Sequence, residues 1–410
     1  MADAPLDGGR ERSDFFRQGI LANVRYWQAW LGENLADVAA LDRERRNIVK
    51  AVSFGLDLEE AWPHLRELIE AFSPYMERRG HWQVWNRVLK RAIEAAPRAG
   101  DEAGAVALSA LLARLLQRQS RFKEATRYYR RTIRAARRLG DRFNEARACS
   151  NLGYLYTEHG HWYRAEVLCC HALAIFEEID SEHGRAHTEN HLGFLYARQG
   201  LWGGAERHLK RACALWQSMN DRHGLMRGFI NLGFLYNEME HPDEALSYLT
   251  KALQQARLTG DEAEIGKIYA NIGIAHRLAA APEKAEEYAW RAEAIFRRFS
   301  NVLELANVWG NLGLACLDQG RWQEACLHLE TSLQIWRRLN HKYGEIKTLL
   351  YMVEYELARE NRQKASGQLN KMERLINQQK RTELYRPLQT LVMKYRRSLM
   401  EYSSQQAAAK

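Results

Sequence analysis

The chain has 410 residues, 46% of them hydrophobic, with seven prolines and a net charge of +9 from 60 Lys and Arg against 51 Asp and Glu. So little proline among many Ala, Leu, Arg and Glu points to a nearly all-helical protein. No run of 18 apolar residues offers a membrane span, and the first 14 residues carry acids and glycines where a signal peptide needs an apolar core. A cytoplasmic protein without a membrane partner is expected, and the positive balance favours acidic partners.

Residues 1–12 lack apolar periodicity and read as a lead-in without fixed structure. Phe15, Phe16, Ile20, Val24, Tyr26, Trp27, Trp30 and Leu31 then recur at helical spacing, with a stop at Gly32. A second helix is expected from about Leu35 to Leu56. Residues 13–60 are therefore assigned to an N-terminal helical cap.

From 61 to 380 a different regularity takes over. Asn151-Leu152-Gly153 returns as His191-Leu192-Gly193, Asn231-Leu232-Gly233, Asn271-Ile272-Gly273 and Asn311-Leu312-Gly313, each step 40 residues long. Ala165, Ala205, Ala245, Ala285 and Ala325 keep the same phase, and so do the turn positions Gly160, Gly200 and Gly320. Gly140-Asp141, Asp180-Ser181, Asn220-Asp221, Gly260-Asp261, Ser300-Asn301 and Asn340-His341 punctuate the copies as helix stop followed by helix cap. Such a period means stacked helical hairpins, each unable to bury its apolar face alone. About eight copies fit, strongest over 146–344. The expected fold is an all-α solenoid closed by a capping helix over 381–401, where Leu384, Leu388, Leu391, Val392, Tyr395 and Leu399 make one stripe, with a frayed tail at 402–410.

Small residues at Gly153 and Ala165 let the paired helices approach closely. Trp82, Trp162, Trp202 and Trp322, just after the turn, read as wedges between hairpins. The six cysteines, Cys149, Cys169, Cys170, Cys213, Cys316 and Cys326, read as structural thiols.

This pattern, L-G-x-x-Y, a turn glycine, then A-x-x-x-[FYLC]-x-x-A, resembles the tetratricopeptide repeat family. The proline that ends the usual 34-residue unit is absent, which makes the repeat similar to the 40-residue form of kinesin light chains, Pins-type polarity adaptors and the sensor arms of bacterial STAND-class NTPases. The resemblance implies a right-handed superhelix whose first helices line a concave groove. Leu41-Asp42-Arg43-Glu44-Arg45-Arg46-Asn47-Ile48-Val49-Lys50-Ala51 and Tyr75-Met76-Glu77-Arg78-Arg79-Gly80-His81-Trp82 further resemble the junction between NTPase and repeat arm in STAND regulators. No G-x-x-x-x-G-K-[ST] loop is present, so a detached sensor or adaptor arm is implied.

One stripe of each first helix is polar at i, i+4, i+7, i+11. It reads Arg147, Asn151, Tyr154, Glu158; then His187, His191, Phe194, Arg198; then Arg227, Asn231, Phe234; then Lys267, Asn271; then Asn307, Asn311. In the related adaptors, asparagines in this column grip the backbone of an extended peptide, which the resemblance implies for Asn151, Asn231, Asn271 and Asn311. The competing reading is that each amide bonds a neighbouring repeat and fixes the stacking. Arg147, Arg227 and Lys267 would favour acidic or phosphorylated side chains.

His187 and His191 stand one turn apart with His183 a turn before them, but no fourth ligand is apparent and no metal is expected. Protonation of these histidines near neutral pH is the stronger reading. A basic run from 114 to 147, including Arg127, Arg130, Arg131, Arg134, Arg137 and Arg138 on a second helix, reads first as a solvated face and next as a surface for an acidic protein, with nucleic acid as the alternative partner. No nucleophile motif, paired catalytic carboxylates or phosphate loop stands out, so neither enzymatic activity nor a cofactor is expected. The sequence thus points to an adaptor or sensor that binds a protein or peptide segment.

Overall fold

A computed structural model of the chain describes residues 7–378 and 386–408. Its elements are helical throughout, and they divide into two compact units that meet within one helix, at residues 148 and 149. Among the described residues, no helix is long and apolar enough to cross a membrane.

The first unit opens with α1 (Asp7–Asn34) and α2 (Val38–Gly55), followed by a short turn of tighter helix, α3 (Trp62–Arg78), α4 (Trp82–Ala95), α5 (Glu102–Arg118), α6 (Phe122–Leu139) and the start of α7 (Arg142–Glu158). Helix α1 begins at Asp7, inside the stretch read as unstructured; residues 1–6 lie outside the described residues. Val24, Trp27, Leu31, Leu41, Ile48 and Val52 are buried, whereas Phe15 and Phe16 point to solvent. The two segments that resemble the STAND junction face each other: Tyr75 donates its hydroxyl to Asp42 at 2.6 Å, and Arg79 pairs with the same carboxylate at 2.8 Å.

The second unit continues from α7 into α8 (Trp162–Glu178), α9 (Glu182–Arg198), α10 (Trp202–Ser218), α11 (Arg222–Glu238), α12 (Pro242–Thr259), α13 (Glu262–Leu278), α14 (Pro282–Arg298), α15 (Val302–Asp318), α16 (Trp322–Arg338), α17 (Lys342–Ala358), α18 (Arg362–Asn377) and α19 (Arg386–Ala408). Across both units the pairs α3–α4 to α17–α18 make eight hairpins. Helix α19 seats Leu388 and Val392 and runs to Ala408, through the stretch expected to fray; Leu384 lies outside the described residues.

The punctuation is stricter than the 40-residue repeat suggests. A residue with left-handed backbone occurs every 20 positions from Gly80 to Glu360, ending first and second helices alike. Glycine adopts this conformation freely and asparagine readily, as at Asn340 with φ 52°, but Ala280 at φ 54° does so against a steric cost of about 1–2 kcal/mol. The next residue often caps the following helix: Asp221 Oδ1 accepts from the Gly224 amide at 2.9 Å and Asn301 Oδ1 from the Glu304 amide at 3.2 Å.

The glycine of each Asn-Leu-Gly copy marks where the paired helices touch. A Cβ on Gly233 would lie 2.5 Å from Leu249 Cγ, and one on Gly313 2.6 Å from Leu329 Cγ. At Gly193, Gly233 and Gly313 a leucine of the second helix fills the notch left by the first helix, at Gly153 Cys169 fills it, and at Gly273 the backbone of Ala285 comes close instead. Trp82 and Trp162 are buried while Trp202 and Trp322 are half-buried. Among the cysteines, Cys149, Cys169 and Cys316 are buried, but Cys170 is exposed.

Candidate functional site

In the second unit, six first helices converge on one cavity of about 160 Å³. Helices α7, α9 and α11 supply Tyr154, Phe194 and Phe234, whose rings follow one another at centroid distances of 5.3 and 5.4 Å. The same helices supply Glu158, Arg198 and Glu238 one turn further on; α13 adds Lys267 and Asn271, and α15 adds Asn307 and Asn311. These residues recur at multiples of 40, so the register that stacks the hairpins also aims these side chains at one space.

The amides differ in their duties. Asn231 Nδ2 donates to Asn190 Oδ1 at 2.9 Å, a bond to the preceding repeat, and Asn271 Nδ2 donates to the Lys267 carbonyl at 2.9 Å within its own helix. Asn307 reaches Glu304 at 3.2 Å. Asn311 lines the cavity and makes no hydrogen bond among the described residues. Stacking thus uses one amide of the ladder, while Asn311 keeps both donors and its acceptor free for a ligand.

Five residues expected in the groove do not line the cavity. Arg147 belongs to the first unit and donates to the Ala107 carbonyl at 3.4 Å; burial, then Arg114, push its guanidinium down to about 10. Asn151 and Arg227 are half-buried and do not line the cavity. His191 is buried, its Nδ1 2.9 Å from the Ser150 hydroxyl, the contact that Asn231 makes with Asn190 one repeat on. His187 sets its ring edge-on to Trp216 at 5.2 Å. Burial, then Arg227, hold His191 at about 3, and burial also holds His187 well below its ordinary value, so neither titrates near neutral pH.

The opposite wall is α17, which the sequence reading left out. Tyr343, Lys347 and Tyr351 face the cavity, and His341 closes its edge. Lys347 and Tyr351 stand 40 residues beyond Asn307 and Asn311; carrying the columns one copy past the lost Asn-Leu-Gly signature would have found them. The Arg198 guanidinium lies over the Tyr343 ring at 4.1 Å, and Lys347 faces Glu238 at 3.6 Å. Burial disfavours the Lys347 ammonium, but Tyr351, Glu238 and Tyr343 more than offset it and raise its pKa. With Arg198, Lys267 and Lys347 set against Glu158, Glu238 and Glu304, the lining is balanced in charge, and the expected preference for acidic partners has no counterpart in it.

In the first unit, Arg127, Arg130, Arg131, Arg134, Arg137 and Arg138 are all exposed on α6. Part of this charge is committed locally: Arg137 pairs with buried Glu145 at 2.6 Å and Arg138 with Glu102 at 3.1 Å.

Tandem hairpins that gather their first helices on one cavity define an α-solenoid of the protein-interaction class. Tetratricopeptide-repeat profiles match residues 107–143, 182–257, 224–298 and 304–376, more than half of the sequence, and the chain belongs to the tetratricopeptide repeat family. Comparison with curated proteins gives no match. Among solved structures, the chain is similar to a Rap protein complexed with competence and sporulation factor, with a TM-score of 0.56 and 14% identity over 86% of this chain and 99% of that one. It is also similar to aspartyl phosphate phosphatase F from Bacillus subtilis, with a TM-score of 0.53 and 14% identity over 93% and 97%. A third likeness, to a STAND protein with a tetratricopeptide repeat sensor from Pyrococcus horikoshii, has a TM-score of 0.50 and 16% identity over 80% of this chain and 47% of that one. At these identities the likeness is one of fold.

Proposed function

We propose that the protein is a non-catalytic adaptor or sensor that binds an extended segment of a partner protein in the cavity of its second unit. The observation that carries this reading is the meeting, on one cavity, of an aromatic column, Tyr154, Phe194 and Phe234, with the amide of Asn311, which has no hydrogen-bond partner among the described residues. Aromatic faces accept apolar side chains with little loss of rotamer freedom, and an amide satisfies the peptide backbone's donor and acceptor together. Balanced charge on the walls suits a mainly uncharged segment more than a phosphorylated one. A Rap protein of this fold is seen in complex with competence and sporulation factor, which agrees with partner binding by such a scaffold.

Random peptides displayed against the intact chain test this. Selected peptides should lose binding on Phe234→Glu, which puts a charge into the aromatic column. Peptides that bind the variant and the original chain equally would place their site elsewhere.

A further inference from the structure

His183 and His187 stand one turn apart on α9, so their rings share a face, with centroids 4.5 Å apart. The cap of α11 brings Asp221 to the same place: its Oδ2 is 3.4 Å from His183 Nε2, while its Oδ1 is fixed by the Gly224 amide at 2.9 Å. One ligand atom from each of the three residues lies within 4.8 Å of the others. The carboxylate is thus anchored by one oxygen and presents the other, as outer hydrogen bonds do for metal ligands. The ring nitrogens of His187 make no hydrogen bond among the described residues.

We propose that His183, His187 and Asp221 form a binding site for a divalent cation of the zinc class, joining α9 to the cap of α11. Two imidazoles and one carboxylate make a donor set that suits zinc, cobalt or nickel ions and leaves a fourth position open to water or to a partner's side chain. Ligand atoms about 2.0–2.2 Å from one ion must draw in from the present spacing. His183 can do so, because its side chain is exposed. Since α9 and α11 are first helices of consecutive hairpins, the ion would tie together two of the repeats whose stacking shapes the cavity.

The next repeat supplies an internal control. His223 Nε2 and Asp261 Oδ2 reproduce the His183–Asp221 pair at 3.2 Å, but the position of His187 is taken by Arg227, which replaces a ligand with a cation. That pair should not hold a metal. A second grouping, Cys316, Glu324 and His328, is less suited, because Arg321 forks onto Glu324 and a metal would have to displace it.

The test is a zinc titration of the metal-free full chain against a chromophoric chelator, followed by the visible absorption of the cobalt-loaded protein. The chain should take up one equivalent, with cobalt bands of low coordination number. His183→Ala, at an exposed position, and Asp221→Asn, which keeps an oxygen for the Gly224 amide, should each raise the dissociation constant by at least about tenfold without changing the far-ultraviolet circular dichroism. His223→Ala should bind as the unaltered chain does. Absence of uptake at micromolar zinc, uptake unaffected by both variants, or equal loss in His223→Ala would each overturn the proposal.

Discussion

His341 and Glu158 are 183 residues apart in sequence and 2.7 Å apart in space, the His341 Nε2–H donating to the Glu158 carbonyl. The other ring nitrogen, Nδ1, accepts from the Gly344 amide at 2.9 Å and so caps α17. The two bonds together require the neutral tautomer protonated at Nε2. One imidazole therefore ends a turn, starts a helix and brings α17 against α7 at the rim of the cavity.

This arrangement should be sensitive to acid. Burial pushes His341 down to about 4, and burial, then His341 itself, push His159 down to about 3. In the unfolded chain both titrate near 6.5, so below that pH the unfolded state binds more protons than the folded one. Stability should be flat above pH about 6.5 and fall as pH drops from there toward 4. Each histidine contributes a slope of about 1.4 kcal/mol per pH unit in that window. His341→Asn keeps a side-chain acceptor for the Gly344 amide but cannot titrate, and melting curves from pH 7.5 to 4.5 should show a shallower acid slope. An unchanged slope would mean that the protons enter elsewhere.

The glycine notch predicts opposite signs for one kind of substitution. Gly233→Ala should destabilise the chain by about 1–3 kcal/mol, because the new methyl meets Leu249 at 2.5 Å. Gly367→Ala, inside α18 with nothing within 4 Å of the new atom, should stabilise it by up to about 1 kcal/mol through helix propensity alone. Urea unfolding of both variants checks the pair.

At the 20-residue turns, Ala280→Gly should stabilise, since it relieves a left-handed alanine at φ 54°. The gain, about 1 kcal/mol after the extra freedom of glycine in the unfolded chain is counted, should appear as a higher melting temperature. A lower melting temperature would mean that the turn carries no strain.

Most of the fold was legible because a 40-residue period is written redundantly: in Gly233 and its equivalents, in the alanines facing them, and in caps such as Asp221 and Asn301. Ten of the fifteen expected groove residues, from Tyr154 to Asn311, line the cavity for the same reason, since one register sets both packing and exposure. The rest was hidden for physical causes. His191 occupies an asparagine column and bonds Ser150 in the register in which Asn231 bonds Asn190, yet its ring is buried where Asn231 lines the cavity. The α17 wall depends on contacts between residues far apart in sequence, and no local pattern states that His341 will meet Glu158.

The basic face of α6 should divide by its partners. Arg131→Glu with Arg134→Glu should change stability by no more than about 0.5 kcal/mol. Arg137→Glu should cost more than about 1 kcal/mol, because Glu145 is buried against it. If this face binds nucleic acid, the Arg131 and Arg134 changes should weaken binding and flatten its salt dependence. Fluorescence anisotropy with a labelled duplex at several salt concentrations reads this out, and no binding at low salt would remove nucleic acid as a partner.

The most direct test compares Asn311→Ala with Asn231→Ala, measuring melting temperature and affinity for one display-selected peptide on both. The Asn311 side chain makes no hydrogen bond among the described residues, so its loss should weaken peptide binding by roughly two- to tenfold and leave the melting temperature unchanged. Asn231 bonds buried Asn190, so its loss should lower the melting temperature, through a deficit of about 1–3 kcal/mol. Unchanged affinity in Asn311→Ala, together with a lowered melting temperature, would contradict the account and make the cavity a feature of stacking alone.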